Sequence, residues 1–583
     1  MVSNPLVEEL NKLRESSKYA VAHGSHNNLD AFKKYLHIER KVEDVLKKTL
    51  INCSKNIIAQ LLLVCGNVGD GKSHILSHLY SDLYSEISQF KIHNDATESH
   101  NPNESSNDTL YKLLDGFKDE NINNCKDKII LAINLGTLSK FLEVYKSEFS
   151  QLATYVVEQK ILDTDIMHNE VFNNMSYFHH VNFTDYHMYA LTENGAVSEI
   201  ISNLLQKIIS DDSRNPIYKA YLDFKKEYKN PEKCPIVYNY EFLFDVKMRE
   251  VLIQIIIKAI VKSKEIISLR SLLNFVYDVL VPIDLSSVNP SEYIKKIESM
   301  NDIEFVSNII PNYLFEHSEL SSLFEKISAI DPCNYRDSKI DDILLKLINS
   351  ESPIEIFETN ISRTALKSID EKIKSKKVQK EYLSTLFIRL HYFSNYDESI
   401  KNGDSDYIEY MELLFHYNNN NPIYLRKLYR LVENSIRSWN GDPKTAEKVI
   451  INVGKRQTRY RVFKDFEVQP EVENLLPMQD ENIDKFVQEF TLNFKIINDT
   501  ETETLKIHVD YSLFKILKTI LSGYRPNKKD NNNYVYFVNL INKLINQNND
   551  KASLYIDEVN IGKAVDYKFS KDIAFNTYKF ELA

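Results

Sequence analysis

Glycine and proline are scarce, 12 and 15 in a chain of 583 residues. That scarcity excludes a collagen-like, linker-rich or turn-dense all-β protein and leaves long regular helices as the natural reading. Cysteine is rarer still. The five thiols, Cys53, Cys65, Cys125, Cys234 and Cys333, are odd in number, far apart and without a CxxC pair, which points to a reducing compartment and away from a structural zinc site. A long apolar run is also lacking. The most apolar stretch, Val251 to Val261, contains Lys258, whereas a bilayer span takes about 20 apolar residues. The opening Met-Val-Ser-Asn-Pro has no basic segment leading into an apolar one, so no signal peptide is read, and a cytoplasmic protein is expected. Positive charge is in deficit: 72 Lys and Arg against 83 Asp and Glu give a net charge of −11. Such a chain repels nucleic acid and anionic membranes at long range, so contact with either needs a local basic patch or a partner subunit.

What is present suits a folded protein, since 43% hydrophobic residues is too many for a disordered chain. The length exceeds what one core supports. We read residues 1–50 as a helical segment and 51–194 as an α/β core with a parallel, AAA+-like sheet. Residues 195–440 read as a helical lid and helical domain, and 441–583 as a C-terminal α+β domain. In the core, residues 57–65 are almost wholly apolar, as in a strand buried on both faces. Further strands are expected at Phe90–Asn94, Lys128–Asn134 and Tyr177–Phe183, with polar loop over 97–109. In the last segment, strands are expected at Thr458–Phe466, Phe490–Ile497, Thr504–Val509 and Ser553–Val559, around helices near 511–521 and 534–547.

Between the first strand and the helix after it lies Gly66-Asn67-Val68-Gly69-Asp70-Gly71-Lys72-Ser73-His74. It matches the phosphate-binding pattern GxxxxGK[ST] at every defined position. Glycines admit backbone conformations closed to other residues and let successive amides turn inward as an anion cradle. The helix adds its positive end. Lys72 suits the β and γ phosphates, and the Ser73 hydroxyl suits Mg²⁺. The expected ligand is a nucleoside triphosphate, ATP, with Mg²⁺.

Hydrolysis needs a carboxylate to hold the metal and a group to orient water. Asp95, just after the short strand, is assigned to Mg²⁺ and Glu98 is a possible base. Asn134, at the end of the strongest strand, is assigned as a polar sensor of the γ-phosphate. The run Asn-Asp-Ala-Thr also suits a turn capped by Asp95. Ser268 reads as the cap of a lid helix that carries Arg270 in its first turn, from where an arginine reaches a nucleotide or is simply solvated. Arg214, Arg336 and Arg363 lie near helix breaks, and nothing selects one as an arginine finger. A basic stretch with Lys455, Arg456, Arg459, Arg461 and Lys464 interleaves with Tyr460 and Phe463. It suits a nucleic-acid backbone with stacking bases, or equally a strand with one solvated face. The histidines are scattered, and there is no HExxH, no GxSxG and no nuclease carboxylate–lysine set.

Several segments together resemble the DptF family of phosphorothioation-dependent DNA restriction proteins. They are Tyr35-Leu-His-Ile-Glu-Arg40, Cys65–His74, His93–Ser99, Ile129–Gly136, Asn182-Phe-Thr-Asp-Tyr186 and Gly523-Tyr-Arg-Pro526. The resemblance implies a nucleotide-binding subunit, through Gly66, Gly71, Lys72 and Ser73. It would act with DptG- and DptH-like partners in a bacterial defence system that restricts DNA lacking the phosphorothioate mark. A nucleotide-binding scaffold with little turnover, and a signalling NTPase of another defence type, remain open beside it.

Overall fold

Strand β1 (Gln60–Cys65) is buried at every residue, which a strand achieves only when both faces of its sheet are covered. The computed structural model describes residues 5–19, 31–94, 106–163, 172–286, 290–335 and, with short interruptions, 338–582. Strands β2 (Lys91–His93), β3 (Lys128–Ile133) and β4 (Phe178–Asn182) join β1 in a four-stranded parallel sheet of order β2-β3-β1-β4. Leu61 pairs with Ile129 on one side and with Phe178 on the other.

Alternation along β1 divides the core. Leu61, Leu63 and Cys65 pack with Leu138, Phe141, Leu152 and Val156, from helices α7 (Leu135–Tyr145) and α8 (Ser150–Glu158). Leu62 and Val64 pack with Val42, Leu46, Ile75 and Leu79, from α3 (Lys41–Lys55) and α4 (Lys72–Asp82). Each such fully buried aliphatic side chain contributes about 1.5–3 kcal/mol of burial free energy. The strand starts later than expected: Ile57 is 90% exposed, in the turn that ends α3. The expected loop over 97–109 is also revised. Its first part lies outside the described residues, and from Ser106 to Leu113 the chain is helix α6, which buries Thr109 and Leu110.

Ahead of the sheet run α1 (Pro5–Tyr19) and α2 (Ala31–Leu36). Between α4 and β2 sits the short α5 (Tyr84–Ile87). After β4 come two strands not expected from the sequence, Tyr186–Thr192 and Gly195–Val197. Helices α9 (Glu199–Ile209), α10 (Pro216–Glu227), α11 (Pro235–Phe242), α12 (Val246–Ser263) and α13 (Leu269–Leu280) follow. Among the described residues no helix is long and apolar enough to cross a membrane. The apolar α12 is a core helix, and its buried Lys258 meets the Asp404 carboxylate at 2.7 Å.

The described chain forms two compact units. One comprises residues 1–190, 196–404 and 484–486, the other 191–195, 405–483 and 487–583. The first holds the parallel sheet and most of the helices. Within it Arg389, 4% exposed, donates to Asp331 at 2.6 Å, Glu316 at 2.5 Å and Asn312 at 2.9 Å. Removing one partner of a buried ion pair strands the other charge. Arg389→Ala is therefore expected to lower unfolding stability by roughly 3–5 kcal/mol, read by urea denaturation. A loss under ~1 kcal/mol would mean that water already reaches Asp331.

The second unit is α+β. Phe490–Ile497 pairs antiparallel with Thr502–Val509. A separate five-stranded sheet runs in the order 577–582, 566–572, 554–558, 460–465, 448–450. Helices Tyr511–Leu521 and Val535–Gln547 lie in the same unit. Both fall where helices are expected, near 511–521 and 534–547; the C-terminal hairpin formed by 566–572 and 577–582 was not anticipated.

Candidate functional site

From Cys65 the chain turns through Gly66–Gly71 and enters α4 at Lys72. Gly69 and Gly71 have φ of +90° and +86°, the left-handed region that glycine enters without penalty. Space is limiting as well. A Cβ on Gly69 would lie 2.9 Å from Ser268 Oγ and 3.3 Å from Arg270 Cβ. The start of α13 thus rests on the loop, and the Arg270 amide donates to the Gly69 carbonyl at 3.3 Å. Ser268 caps α13 by accepting from the Ser271 amide at 3.1 Å.

Helix α4 begins without a side-chain cap. Its N-cap is Gly71, which offers no side-chain acceptor. In the same unit α7, α9, α10, α12 and α13 are each capped by the side-chain oxygen of Asn134, Ser198, Asn215, Asp245 or Ser268. In α3, α8 and α11, as in α4, the N-cap residue makes no side-chain cap; α4 alone among these four follows a run of positive-φ glycines. The first amides of α4, at the positive end of its dipole, lack that compensation. Val68 at the tip of the loop is 70% exposed.

Side chains stitch the loop from within. Lys72 Nζ donates to the carbonyls of Gly66 at 2.9 Å and Asn67 at 2.7 Å. The Asp70 carboxylate accepts from the Asn67 amide at 2.6 Å. Burial pushes the Asp70 carboxyl above its usual range, against the Asn67 amide, Lys72 and Arg40, which all favour its ionised form. Arg40 Nη1 donates to the Asp70 carbonyl at 2.7 Å, and its guanidinium lies 5.6 Å from the Phe183 ring centre. Arg40 is 6% exposed, and its Nε has no acceptor among the described residues. Burial lowers its pKa while Asp70 and Glu43 raise it.

The neighbouring strand ends are polar. Asn134 follows β3 and accepts from the Thr137 amide at 2.7 Å, so its carbonyl oxygen caps α7. On the other side Asn182, paired with Cys65, donates to Asp185 at 2.7 Å and accepts from the Thr184 hydroxyl at 2.8 Å. Cys65 registers both flanks: burial pushes its thiol up to about 12, with Lys72 pulling down and Asp185 pushing up. Its role is packing.

Of the residues singled out from sequence, the structure gathers Gly66 to Ser73, Asn134 and Arg270 at one end of the sheet. His74 is placed differently: its Nε2 lies 3.1 Å from His37 Nδ1, among histidines on the α3 side. Burial, with His37 and His78 beside it, lowers its pKa to about 4. Asp95 and Glu98 lie outside the described residues, as do Lys455, Arg456, Arg459 and Arg336. Arg214 is held by Asp212 at 2.7 Å. The basic stretch requires a correction at Lys464, which is 2% exposed and donates to the Ile545 carbonyl at 2.7 Å. A lysine whose charge is spent on an internal carbonyl cannot meet a phosphate backbone. Arg461 lies opposite Asp557 in the sheet register.

Arg40 and Asp185 had no assigned role. Both stand in segments that carry the family resemblance, yet neither has a spacing signal. Arg40 is 30 residues from the carbonyl it serves, and only the fold joins them. No protein-family model, curated protein or solved structure matches this chain.

Proposed function

We propose that the chain binds ATP with Mg²⁺ at the 66–73 loop, and is a P-loop NTPase subunit of a phosphorothioation-dependent DNA restriction complex. One observation carries the nucleotide reading. At the carboxyl end of a central parallel strand, the Gly71-capped start of α4 has no side-chain acceptor. The loop before it keeps a shape that only glycine allows at Gly69. Strand ends of open parallel sheets are where phosphate ligands gather, at helix N-termini.

The residues fit a polyphosphate. Loop amides and the start of α4 supply donors, Arg40 has an unspent Nε–H beside the loop, and Lys72 supplies a mobile cation. When bound, the triphosphate supplies the transferable phosphoryl group and Mg²⁺ offsets charge on its oxygens. Lys72 then exchanges the Gly66 and Asn67 carbonyls for phosphate oxygens, and the Ser73 hydroxyl serves the metal. Asp95 and Glu98 follow β2, two strands from β1 in the sheet order, and keep their proposed roles as metal-side acid and base. Asn134 senses the γ-phosphate through its amide. Arg270, whose backbone is pinned to Gly69, couples the loop to α13. With no nuclease set in the sequence, the proposed output is a change of partner affinity in DptG- and DptH-like subunits, driven by the position of α13.

A scaffold with little turnover is the second reading. It is favoured by Asn134, whose carbonyl oxygen is committed to capping α7. Phosphate release by the full complex, with and without DNA, separates the two. Turnover stimulated by DNA or partners and abolished by Lys72→Ala supports the ATPase. Background turnover throughout, with restriction intact in the Lys72→Ala strain, leaves the scaffold.

A further inference from the structure

Beside the loop, but not part of it, three side chains converge between α3 and α4. His37 precedes α3, Glu43 stands in its first turn, and His78 lies on α4. His37 Nε2 is 3.1 Å from Glu43 Oε2, and His78 Nδ1 is 3.0 Å from Glu43 Oε1. One ligand atom from each residue falls within 4.8 Å of the others. The imidazoles of His37 and His78 are stacked, with centroids 3.7 Å apart and 14° between planes, so both present a nitrogen to the same carboxylate.

His37 and Glu43 are 7% and 6% exposed. Their facing atoms, Nε2 and Oε2, are nevertheless both without a well-directed hydrogen bond among the described residues. The 3.1 Å contact between them is poorly directed and offsets only part of the cost of burying both. A cation between them would satisfy both. Bonds of about 2.0–2.1 Å in a tetrahedral shell place neighbouring ligand atoms about 3.3 Å apart. Here the two nitrogens face different oxygens of Glu43 and one atom from each residue lies within 4.8 Å of the others, so the stacked rings tilt and close as the ion enters.

We propose that His37, Glu43 and His78 bind a divalent transition-metal ion of the zinc class, with His74 as the residue that orients His37. Two imidazoles and one carboxylate suit zinc and the late first-row metals, and not Mg²⁺ or Ca²⁺, which take oxygen ligands. With Nε2 of His37 on the metal, its Nδ1 carries the proton and donates to His74 Nε2 at 3.1 Å. That is the outer-shell hydrogen bond that fixes a ligating histidine's tautomer. The backbone at His37 is held as well, because Lys207 Nζ donates to its carbonyl and, at 3.0 Å, to that of Tyr35. Cysteine counting could not find such a site, and the ligands span 42 residues, 37 to 78, with no motif spacing. The ion would tie α3 to α4, the helix that opens at Lys72. The site stands apart from the nucleotide reading, because metal binding is measured without nucleotide.

The test uses the full chain without a polyhistidine tag, stripped with a chelator and titrated with Co²⁺, then Zn²⁺. The wild type is expected to take up one equivalent of Co²⁺ with the visible bands of a tetrahedral site, bleached by Zn²⁺, and to show a higher melting temperature with Zn²⁺. His78→Ala and Glu43→Gln lose that equivalent and that shift. His74→Ala keeps the equivalent but weakens binding about 10–100-fold. Equal uptake by wild type and His78→Ala overturns the proposal, as does a wild type that shows no Co²⁺ bands. His78 is only partly buried, so its variant is the one to rely on if Glu43→Gln fails to fold.

Discussion

Lys72→Ala is expected to weaken binding of a fluorescent ATP analogue by roughly 30- to 1,000-fold, about 2–4 kcal/mol for a lost charged contact in a partly enclosed site. The fold should not change. In the structure Lys72 Nζ rests on the carbonyls of Gly66 and Asn67, and Asn67 is exposed, so water can replace the amine there at little cost. The loop retains its second stitch, from the Asn67 amide to Asp70. Paired measurements decide the matter: a binding titration and a thermal melt on the same preparations. Unchanged affinity would remove Lys72 from the site and, with it, the nucleotide reading. Lost affinity with a fallen melting temperature would mean that the lysine is structural.

The second large effect is expected at Gly69. Gly69→Ala places a methyl group in two kinds of difficulty at once. Its φ of +90° is costly for any residue with a Cβ, about 1–3 kcal/mol. The methyl would also lie 2.9 Å from Ser268 Oγ, with backbone-attached Cβ atoms of Ser268 and Arg270 at 3.2 and 3.3 Å, an overpacking term of typically 1–3 kcal/mol. Gly523→Ala is the internal control. Its φ is +98°, and nothing lies within 4 Å of the added carbon, so it carries the dihedral cost alone. Each loss is read from the urea transition of its own unit, since Gly69 lies in the first and Gly523 in the second, and the difference measures the contact of the loop with α13. Equal losses would show that α13 yields freely and that Arg270 is not coupled to the loop. A larger loss for Gly69→Ala, accompanied by weaker nucleotide binding, is the expected pattern.

Much of the core was open to a reading of residues in order. Leu61 to Cys65, the glycines that follow, and the apolar face of α4 are local patterns, each set by dihedral freedom or by the period of burial. Asn134 shows where such reading stops. Its place at a strand end was visible, but whether its oxygen faces a ligand or caps its own helix depends on the path of the chain after it. Here the Thr137 amide takes that oxygen. His74 stops at the same point. It follows Ser73 in sequence, yet the helical step of about 100° per residue turns its ring toward His37.

Residue order alone therefore determined the buried strands of the parallel sheet, the helix after the loop and the loop itself, because strand burial, helix periodicity and glycine conformations are properties of neighbouring residues. It did not reveal helix α6, the strands at 186–192 and 195–197, or the C-terminal hairpin. The fold decided which distant groups meet them. It brought Arg40 to the Asp70 carbonyl, Ser268 and Arg270 to Gly69, Glu43 between two histidines, and Lys464 to an internal carbonyl. The reason is physical. A side chain's charge and hydrogen bonds take their meaning from partners within a few ångströms, and those partners are supplied by packing, over separations along the chain that no local pattern records.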